Sequence, residues 1–228
     1  MKTRTRPDKG IFICFTGMDG SGKTTQCQKI INYLSEKNYK CRYTRCRWDP
    51  ILFGLTRRIT KVIIGLRAGK IQDGGSLQYK HLKKTKKHIF RHTFVRLIYL
   101  YVGMIELLFE SFFKVNRPLK SNKYVVCDRH MFDFMIDMSV SFNYSKQQVI
   151  KLSQHFIFSL FVKPDHQFLI DIPGEVGYTR KQDGTSLEYL EERRNIYLTL
   201  AQHRKMHIID GTRPIEEIAH QVRQIVGI

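Results

Sequence analysis

The fold is decided near the amino terminus, where residues 11–25 read IFICFTGMDGSGKTT. The continuous apolar run from Ile11 to Phe15 predicts a short strand that is buried in a parallel sheet. Residues 17–24 then match the pattern G-x-x-x-x-G-K-[ST] at every fixed position. Apolar side chains at helical spacing follow over residues 23–37. A strand, a glycine-rich turn and a helix in this order predict a phosphate-binding loop (P-loop).

Each residue type in this loop suits the binding of a nucleotide polyphosphate. Three glycines allow the backbone to wrap closely, so that successive N–H groups point at phosphate oxygens near the start of a helix. Lys23 is predicted to reach the β- and γ-phosphates, and the Thr24 hydroxyl to ligate Mg²⁺. The predicted cofactors are therefore ATP and Mg²⁺. The predicted nucleotide-binding residues are Gly17, Asp19, Gly20, Ser21, Gly22, Lys23, Thr24 and Thr25.

The rest of the chain alternates short apolar runs with helical patterns. Further strands are predicted at 41–46, 124–127, 168–170 and 206–209. Helices are predicted at 51–66, 82–113, 145–162, 174–182, 187–204 and from about 214, with a capping box of Thr185 and Glu188 before the fifth. This alternation predicts an α/β fold of the P-loop NTPase type. Its architecture is a three-layer α/β/α sandwich with a five-stranded parallel sheet and helices on both faces.

A second acidic residue is needed to complete the magnesium site, at the end of a strand beside the P-loop strand. Asp128 follows the run 124–127, and Asp171 follows the run 168–170. Ligands of such sheets bind at the carboxyl ends of the strands, so both residues are candidates. Asp128 is the preferred one, because the next residue, Arg129, places a cation where a second phosphate could lie.

The positive charge of the chain is concentrated in one stretch. The 228 residues carry a formal net charge of +19, which favours a polyanionic partner. Residues 57–96 alone hold twelve Lys or Arg and one acidic residue, Asp73. This stretch predicts contact with a polyanion or an acidic membrane surface, and the alternative is an ordinary solvated helix face.

Cysteines and the longest apolar segment bear on the cellular compartment. The five cysteines include no C-x-x-C pair, which predicts reduced thiols and a cytoplasmic protein. The segment from Phe94 to Phe113 is interrupted by Arg96, Glu106 and Glu110. Three charges in twenty residues favour a buried helix of the core over a membrane span.

Three stretches of the chain together resemble the thymidylate kinase family. They read FTGMDGSGKTT at 15–25, VVCDRH at 125–130 and LIDIPGEV at 169–176, and the likeness covers roughly residues 10–50 and 120–228. The resemblance implies that Asp19 holds the sugar hydroxyl of the acceptor and that Arg129 binds phosphate. It also implies that Arg45 lies near the reacting phosphates. Members of the family are typically dimers, and Leu97–Phe113 offers an apolar face for a homodimer.

The family also supplies a cation to the transition state, either from the P-loop or from a lid. This P-loop contains no arginine, so the resemblance implies a lid cation. Arg180 is the first candidate, together with Lys181, and Arg193 and Arg194 are held in reserve. The implied catalytic residues are thus Lys23, Arg129 and Arg180.

The acceptor region departs from the family pattern. Small or amide residues that contact thymine are expected after the Asp-Arg pair, and this chain has Met131, Phe132, Asp133, Phe134 and Asp137. The arginine expected on the central helix is absent from 97–108, where Arg91 or Arg96 could substitute from one or two turns earlier.

The sequence therefore predicts one P-loop kinase domain over residues 1–228. Its core would lie at about 10–50 and 120–228, a basic helical acceptor-side region at about 51–119 and a short lid at about 180–187. The leading function is phosphoryl transfer from ATP to a phosphorylated small molecule, a nucleoside monophosphate, with dTMP + ATP to dTDP + ADP as the leading reaction. One alternative is a kinase of another anionic acceptor, such as a sugar phosphate, a lipid phosphate or a nucleic-acid end. Another is a non-catalytic ATP-binding module on nucleic acid or membrane.

Overall fold

Five strands form a single parallel sheet in the computed structural model, which describes residues 10–46, 90, 92–121, 123–180 and 185–228. Their order across the sheet is β2-β3-β1-β4-β5. The strands are β1 (Ile11–Thr16), β2 (Cys41–Arg45), β3 (Tyr124–Asp128), β4 (His166–Asp171) and β5 (His207–Asp210). The predicted five-stranded parallel sheet is confirmed.

The strand register brings the candidate residues to one edge of the sheet. Central β1 pairs with β3 so that Phe15 lies opposite Asp128, and β2 pairs with β3 so that Arg45 also lies opposite Asp128. On the other side of β1, Thr16 lies opposite Leu169 of β4, two residues before Asp171. All of these strands end at the same edge because they are parallel, which is where ligands bind in such sheets.

Helices surround the sheet in the order α1 to α8. The first half contains α1 (Lys23–Glu36), α2 (Thr93–Ser111) with a π-helical continuation (Phe112–Asn116), and the single turn α3 (Arg117–Leu119). The second half contains α4 (Met131–Phe142), α5 (Lys146–Ser153) with a 3₁₀ turn (Phe156–Leu160), α6 (Gly174–Arg180), α7 (Leu187–Arg204) and α8 (Ile215–Val226).

Each face of the sheet has its own apolar core, as a three-layer sandwich requires. On one face, Ile13 and Phe15 of β1 pack with residues of α1 and α8, among them Leu34 and Val222. On the other, Phe12 and Cys14 of the same strand pack with side chains of α2, α4 and α7. Successive residues of β1 thus serve opposite cores, which explains why this strand reads as continuously apolar.

The largest difference between the sequence prediction and the structure is helix α4, because no helix was predicted over its residues. All of its residues except Asp137 and Ser141 are buried. Three of its polar residues, Asp133, Asp137 and Ser141, are spaced four apart, which is a helical period, but most of the other residues of the helix are apolar. Its position, deep between the sheet and α7, is a consequence of tertiary packing alone.

Smaller corrections concern helix ends. The N-cap of α7 is Ser186, whose hydroxyl accepts from the Tyr189 N–H at 3.3 Å, so the predicted capping box from Thr185 is wrong. The helix predicted over 145–162 is divided into α5 and the 3₁₀ turn. The bounds predicted for α7 are confirmed, and those for α1 agree within one residue.

The helix α2 is only partly buried. Phe94, Ile105 and Phe109 each expose more than half of their surface, so the prediction of a helix buried on all sides is wrong. Across the residues that the structure describes, no helix is long and apolar enough to cross a membrane.

Several predictions fall on residues outside the described ranges. They include the helix over 51–66 and nearly all of the basic stretch 57–96. Arg91 and Lys181 also lie outside these ranges. The division of the chain into one domain with an acceptor-side region and a lid stays a prediction.

Candidate active site

The P-loop lies at the carboxyl end of β1, directly before α1. Gly17, Gly20 and Gly22 have positive φ angles of 145°, 82° and 88°, a backbone conformation that side chains disfavour. A Cβ at Gly17 would lie 2.5 Å from the carbonyl oxygen of Ile170, so the loop also needs glycine for close packing on β4. The sequence pattern therefore forms the expected loop for steric reasons.

Lys23 is buried inside this loop. Its Nζ donates to the carbonyl oxygen of Met18 at 2.6 Å and to the Oγ of Ser21 at 3.2 Å. Burial, together with the nearby charge of Arg129, lowers the pKa of Lys23 to about 7. The loop thus holds an amine that gains a proton readily when negative charge arrives.

Thr24 and Asp128 meet at the end of β3, although 104 residues separate them. The Thr24 hydroxyl donates to Asp128 Oδ2 at 2.5 Å, and the Tyr43 hydroxyl donates to the same oxygen at 3.4 Å. Asp128 Oδ1 is buried and has no hydrogen-bond partner in the part of the chain that the structure describes. Asp171, the other metal candidate, instead accepts from Arg194 Nε and Nη2 at 2.9 Å each.

This oxygen pair fits Mg²⁺. Mg²⁺ prefers hard oxygen ligands and usually takes one or two carboxylates together with phosphates and water. The Thr24 hydroxyl and the Asp128 carboxylate form such a donor set beside the phosphate-binding loop. One oxygen of this carboxylate, Oδ1, has no hydrogen-bond partner among the described residues. Within the described ranges no three His, Cys, Asp or Glu side chains form a metal cluster.

Arg129 joins the P-loop to α4. Its φ angle is 75°, and its N–H donates to the carbonyl oxygen of Phe15 at 2.9 Å. The guanidinium forms an ion pair with Asp19 of the P-loop through Nη2 and donates to Asp133 at 3.1 Å through Nη1. Two residues to which the sequence assigns acceptor binding, Asp19 and Arg129, are therefore in direct contact.

Sequence reasoning missed the role of Asp133. In the sequence, Asp133 is only a departure from the family pattern. In the structure, its carboxylate is buried and contacts Arg129, Thr16 and Tyr197. The helical i,i+4 spacing does not account for the pair, because Arg129 precedes α4 and has a left-handed backbone, so the contact is set by the turn between β3 and α4.

The candidate lid cations have separate positions. Helix α6 packs on the P-loop, where a Cβ at Gly20 would lie 3.0 Å from the carbonyl oxygen of Gly177. Arg180, at the end of α6, is exposed and donates to the carbonyl oxygen of Gly211 at 3.2 Å and of Gly20 at 3.5 Å. Arg193 is buried in an ion pair with Asp137, and Arg194 is held by Asp171.

The remaining candidates are Arg45, Thr25 and Arg96. Arg45 ends β2 with an exposed side chain, and its carbonyl oxygen accepts from Lys114 Nζ at 3.0 Å. Thr25 is exposed in the first turn of α1. Arg96, proposed as a substitute on the central helix, donates through Nε to the carbonyl oxygen of Phe90.

A parallel sheet with a P-loop after its central strand, and an Asp-Arg pair ending the neighbouring strand, defines a P-loop enzyme of the nucleoside monophosphate kinase type. The family model for thymidylate kinase matches residues 78–222, more than half of the chain. The chain belongs to the thymidylate kinase family.

Individual relatives span nearly the whole chain, including the P-loop. The thymidylate kinase of Carboxydothermus hydrogenoformans is 26% identical over 94% of this chain and 96% of its own length. That of Fervidobacterium nodosum is 27% identical, with 94% and 98% covered. That of Plasmodium falciparum is 25% identical, with 94% and 88% covered.

Proposed function

We propose that this protein transfers the γ-phosphoryl group of ATP to dTMP, giving dTDP and ADP. The observation that supports the proposal best is the convergence of Lys23, the Thr24–Asp128 pair and the Arg129–Asp19 pair at one edge of the sheet. The first two groups are what a nucleotide polyphosphate needs, and the third offers a cation and a carboxylate to a phosphorylated acceptor.

The donor side uses backbone and side-chain charge. Successive N–H groups of the P-loop and the amino end of α1 hold the β- and γ-phosphates, and Lys23 adds a positive charge. Thr24 and Asp128 would hold Mg²⁺, which neutralises charge on the phosphates when it is bound. These groups stabilise the charge that develops on the transferred phosphoryl group.

The acceptor side needs positioning and no strong base. A phosphate oxygen of dTMP is already ionised at neutral pH, attacks the γ-phosphorus, and the bond to the ADP oxygen breaks. Arg129 binds the acceptor phosphate, with Arg45 beside it at the end of β2. Asp19 accepts from the sugar hydroxyl, which orients the acceptor for in-line transfer.

Arg180 supplies the transition-state cation in this proposal, because it is exposed and lies beside the P-loop. We expect Arg180→Ala to lower kcat about 10²- to 10³-fold with little change in the Kd of ATP, since its charge acts on the transition state. Single-turnover kinetics and calorimetric ATP binding measure the two quantities. Arg213→Ala is the matched control, because Arg213 lies just before α8 and forms its ion pair with Glu217 of that helix. An unchanged kcat in Arg180→Ala would remove Arg180 from the mechanism.

The test of the proposed function is a coupled ADP-release assay with ATP, Mg²⁺ and a panel of nucleoside monophosphates. The expected result is the highest kcat/KM with dTMP. Faster turnover with another monophosphate would correct the acceptor, and tight ATP binding without ADP release for any acceptor would contradict a kinase.

Two predicted partners remain proposals of the same kind. The apolar side of α2, with Phe94, Ile105 and Phe109 exposed, is proposed as the surface of a homodimer. The basic stretch 57–96 is proposed to contact a polyanion or an acidic membrane, which a salt titration of binding to DNA or anionic vesicles tests.

A further inference from the structure

The carboxylate of Asp133 has hydrogen bonds on both of its oxygens. Oδ1 accepts from Arg129 Nη1 at 3.1 Å and from the Tyr197 hydroxyl at 2.8 Å. Oδ2 accepts from the Thr16 hydroxyl at 2.7 Å and from the backbone N–H of His130 at 3.3 Å. The side chain of Asp133 is 5% exposed. A carboxylate that is buried and fully engaged in this way serves its protein neighbours and has little capacity left to bind a substrate.

Asp133 is one of two carboxylates that pair with the buried guanidinium of Arg129. Its side chain is 6% exposed, and its backbone has the left-handed φ of 75° that non-glycine residues rarely adopt. Burial is the largest influence on the pKa of Arg129 and lowers it, but the nearby Asp133, Tyr197 and Asp19 together outweigh burial and raise the pKa, so the guanidinium stays charged. Asp19, its other partner, belongs to the P-loop and has a role in acceptor binding in the proposed function.

The contacts continue outward along a polar ladder, defined as Arg129, Asp133, Asp137, Tyr189, Arg193 and Tyr197. Arg129 lies just before α4, Asp133 and Asp137 lie four residues apart on α4, and the last three residues are spaced four apart on α7. Tyr197 donates to Asp133 and accepts from Arg193 Nη2 at 3.2 Å. Arg193 pairs with Asp137 and donates to the Tyr189 hydroxyl at 2.7 Å. Through these contacts the ladder connects Arg129 to α7, the helix that comes after the predicted lid in the sequence.

We propose that Asp133 is a positioning residue for Arg129, and that Tyr197 and Arg193 fix Asp133 from α7. One side of the guanidinium is held by Asp133, so the other side is presented to Asp19 and to the phosphate of the acceptor. Asp133 itself touches no substrate. The inference rests on the proposed function, because it assigns acceptor binding to Arg129.

The first test is the kinetics of Asp133→Asn and Tyr197→Phe. We expect Asp133→Asn to raise the KM of the acceptor and lower kcat, about 10- to 100-fold in kcat/KM, because a misplaced Arg129 no longer meets the phosphate. Tyr197→Phe removes one hydrogen bond of Asp133 and should act in the same direction by roughly two- to tenfold. The Kd of ATP should change less than twofold in both variants.

Two controls separate positioning from general loss of structure. Asp165→Asn removes a carboxylate that accepts from the Phe12 N–H at the opposite edge of the sheet, and Tyr144→Phe removes a tyrosine hydroxyl outside the ladder. Both should retain the wild-type KM of the acceptor. If Asp133→Asn only lowers the fraction of active enzyme, with every KM unchanged, its role is structural and the proposal is wrong. If it does not fold, the KM shift in Tyr197→Phe decides.

A second readout does not depend on activity. In ¹⁵N spectra of arginine side chains, the two Nη groups of Arg129 should give separate signals, because each is bound to a different carboxylate; Arg129→Lys assigns them. Asp133→Asn should merge these signals through faster rotation. Unchanged signals would overturn the positioning role. If the wild type phosphorylates no acceptor, the proposed function fails, yet separate signals that merge in Asp133→Asn would still support the positioning of Arg129.

Discussion

Lys23→Ala lowers kcat about 10³-fold, which is the largest single effect that we expect. In the proposed function, the Lys23 ammonium group places a positive charge beside the phosphates of ATP. This charge stabilises the negative charge that develops in the transition state, and the effect is strong because the loop is buried. Lys23 makes its contacts with Met18 and Ser21 inside the loop, so truncation leaves α1 and the sheet intact. Single-turnover phosphoryl transfer at saturating ATP measures the effect. Lys29→Ala is the matched control on α1, where Lys29 pairs with Glu216 away from the loop.

The same lysine predicts proton uptake on ATP binding. The pKa of Lys23 is about 7 before the nucleotide binds, because the amine is buried. The negative charge of the phosphates raises this pKa, so the bound state holds more protons than the free state above pH 7. ATP affinity should therefore weaken as the pH rises through 7 to 9.

Calorimetry in buffers of different ionisation enthalpy measures this uptake. We expect close to one proton per ATP at pH 8 in the wild type and in Lys29→Ala, and close to none in Lys23→Ala. Equal proton uptake in Lys23→Ala would show that another group titrates and would contradict the assignment.

Asp128→Asn is expected to lower kcat about 10²- to 10³-fold at cellular Mg²⁺ concentrations, a loss as large as that expected for Arg180→Ala. The amide can still accept from the Thr24 hydroxyl, so the local fold is retained, but the negative charge that attracts the cation is removed. The measurement is kcat as a function of Mg²⁺ concentration, and the half-saturating concentration should rise.

Two further variants make this test specific. Thr24→Ser keeps the hydroxyl and should leave the Mg²⁺ dependence close to that of the wild type. Asp171→Asn tests the alternative ligand and should not shift the Mg²⁺ dependence, because Asp171 is paired with Arg194. A shift in Asp171→Asn without one in Asp128→Asn would reverse the assignment of the metal ligand.

Much of the architecture was readable from local patterns. The apolar runs of the central strands β1 and β3 were predicted because both faces of these strands are covered, whereas the edge strands β2 and β5 are largely exposed. Helix α7 was predicted with its bounds, since its ends carry ordinary start and stop signals. Helix α4 was not predicted, although Asp133, Asp137 and Ser141 mark a helical period within a mostly apolar segment.

The candidate site divides in the same way. The P-loop was predictable because its function depends on local backbone shape, and local shape demands glycines at fixed spacing. The preference for Asp128 over Asp171 needed the structure for support, since the Thr24–Asp128 contact joins residues 104 apart. Arg193, a reserve candidate for the lid, is buried in the polar ladder instead, which its sequence neighbours do not indicate.

The sequence by itself determined the strand–loop–helix unit of residues 11–36, the parallel sheet and the residue types available for phosphate binding. These follow from short-range sterics and from the burial of apolar runs. The tertiary structure alone decided which charges meet: Arg129 with Asp19 and Asp133, Arg193 with Asp137, and Arg194 with Asp171. Most of these pairs join distant parts of the chain. Their partners are selected by the packing of α4 and α7 against the sheet, because a buried charge must find its counter-charge wherever the fold places it.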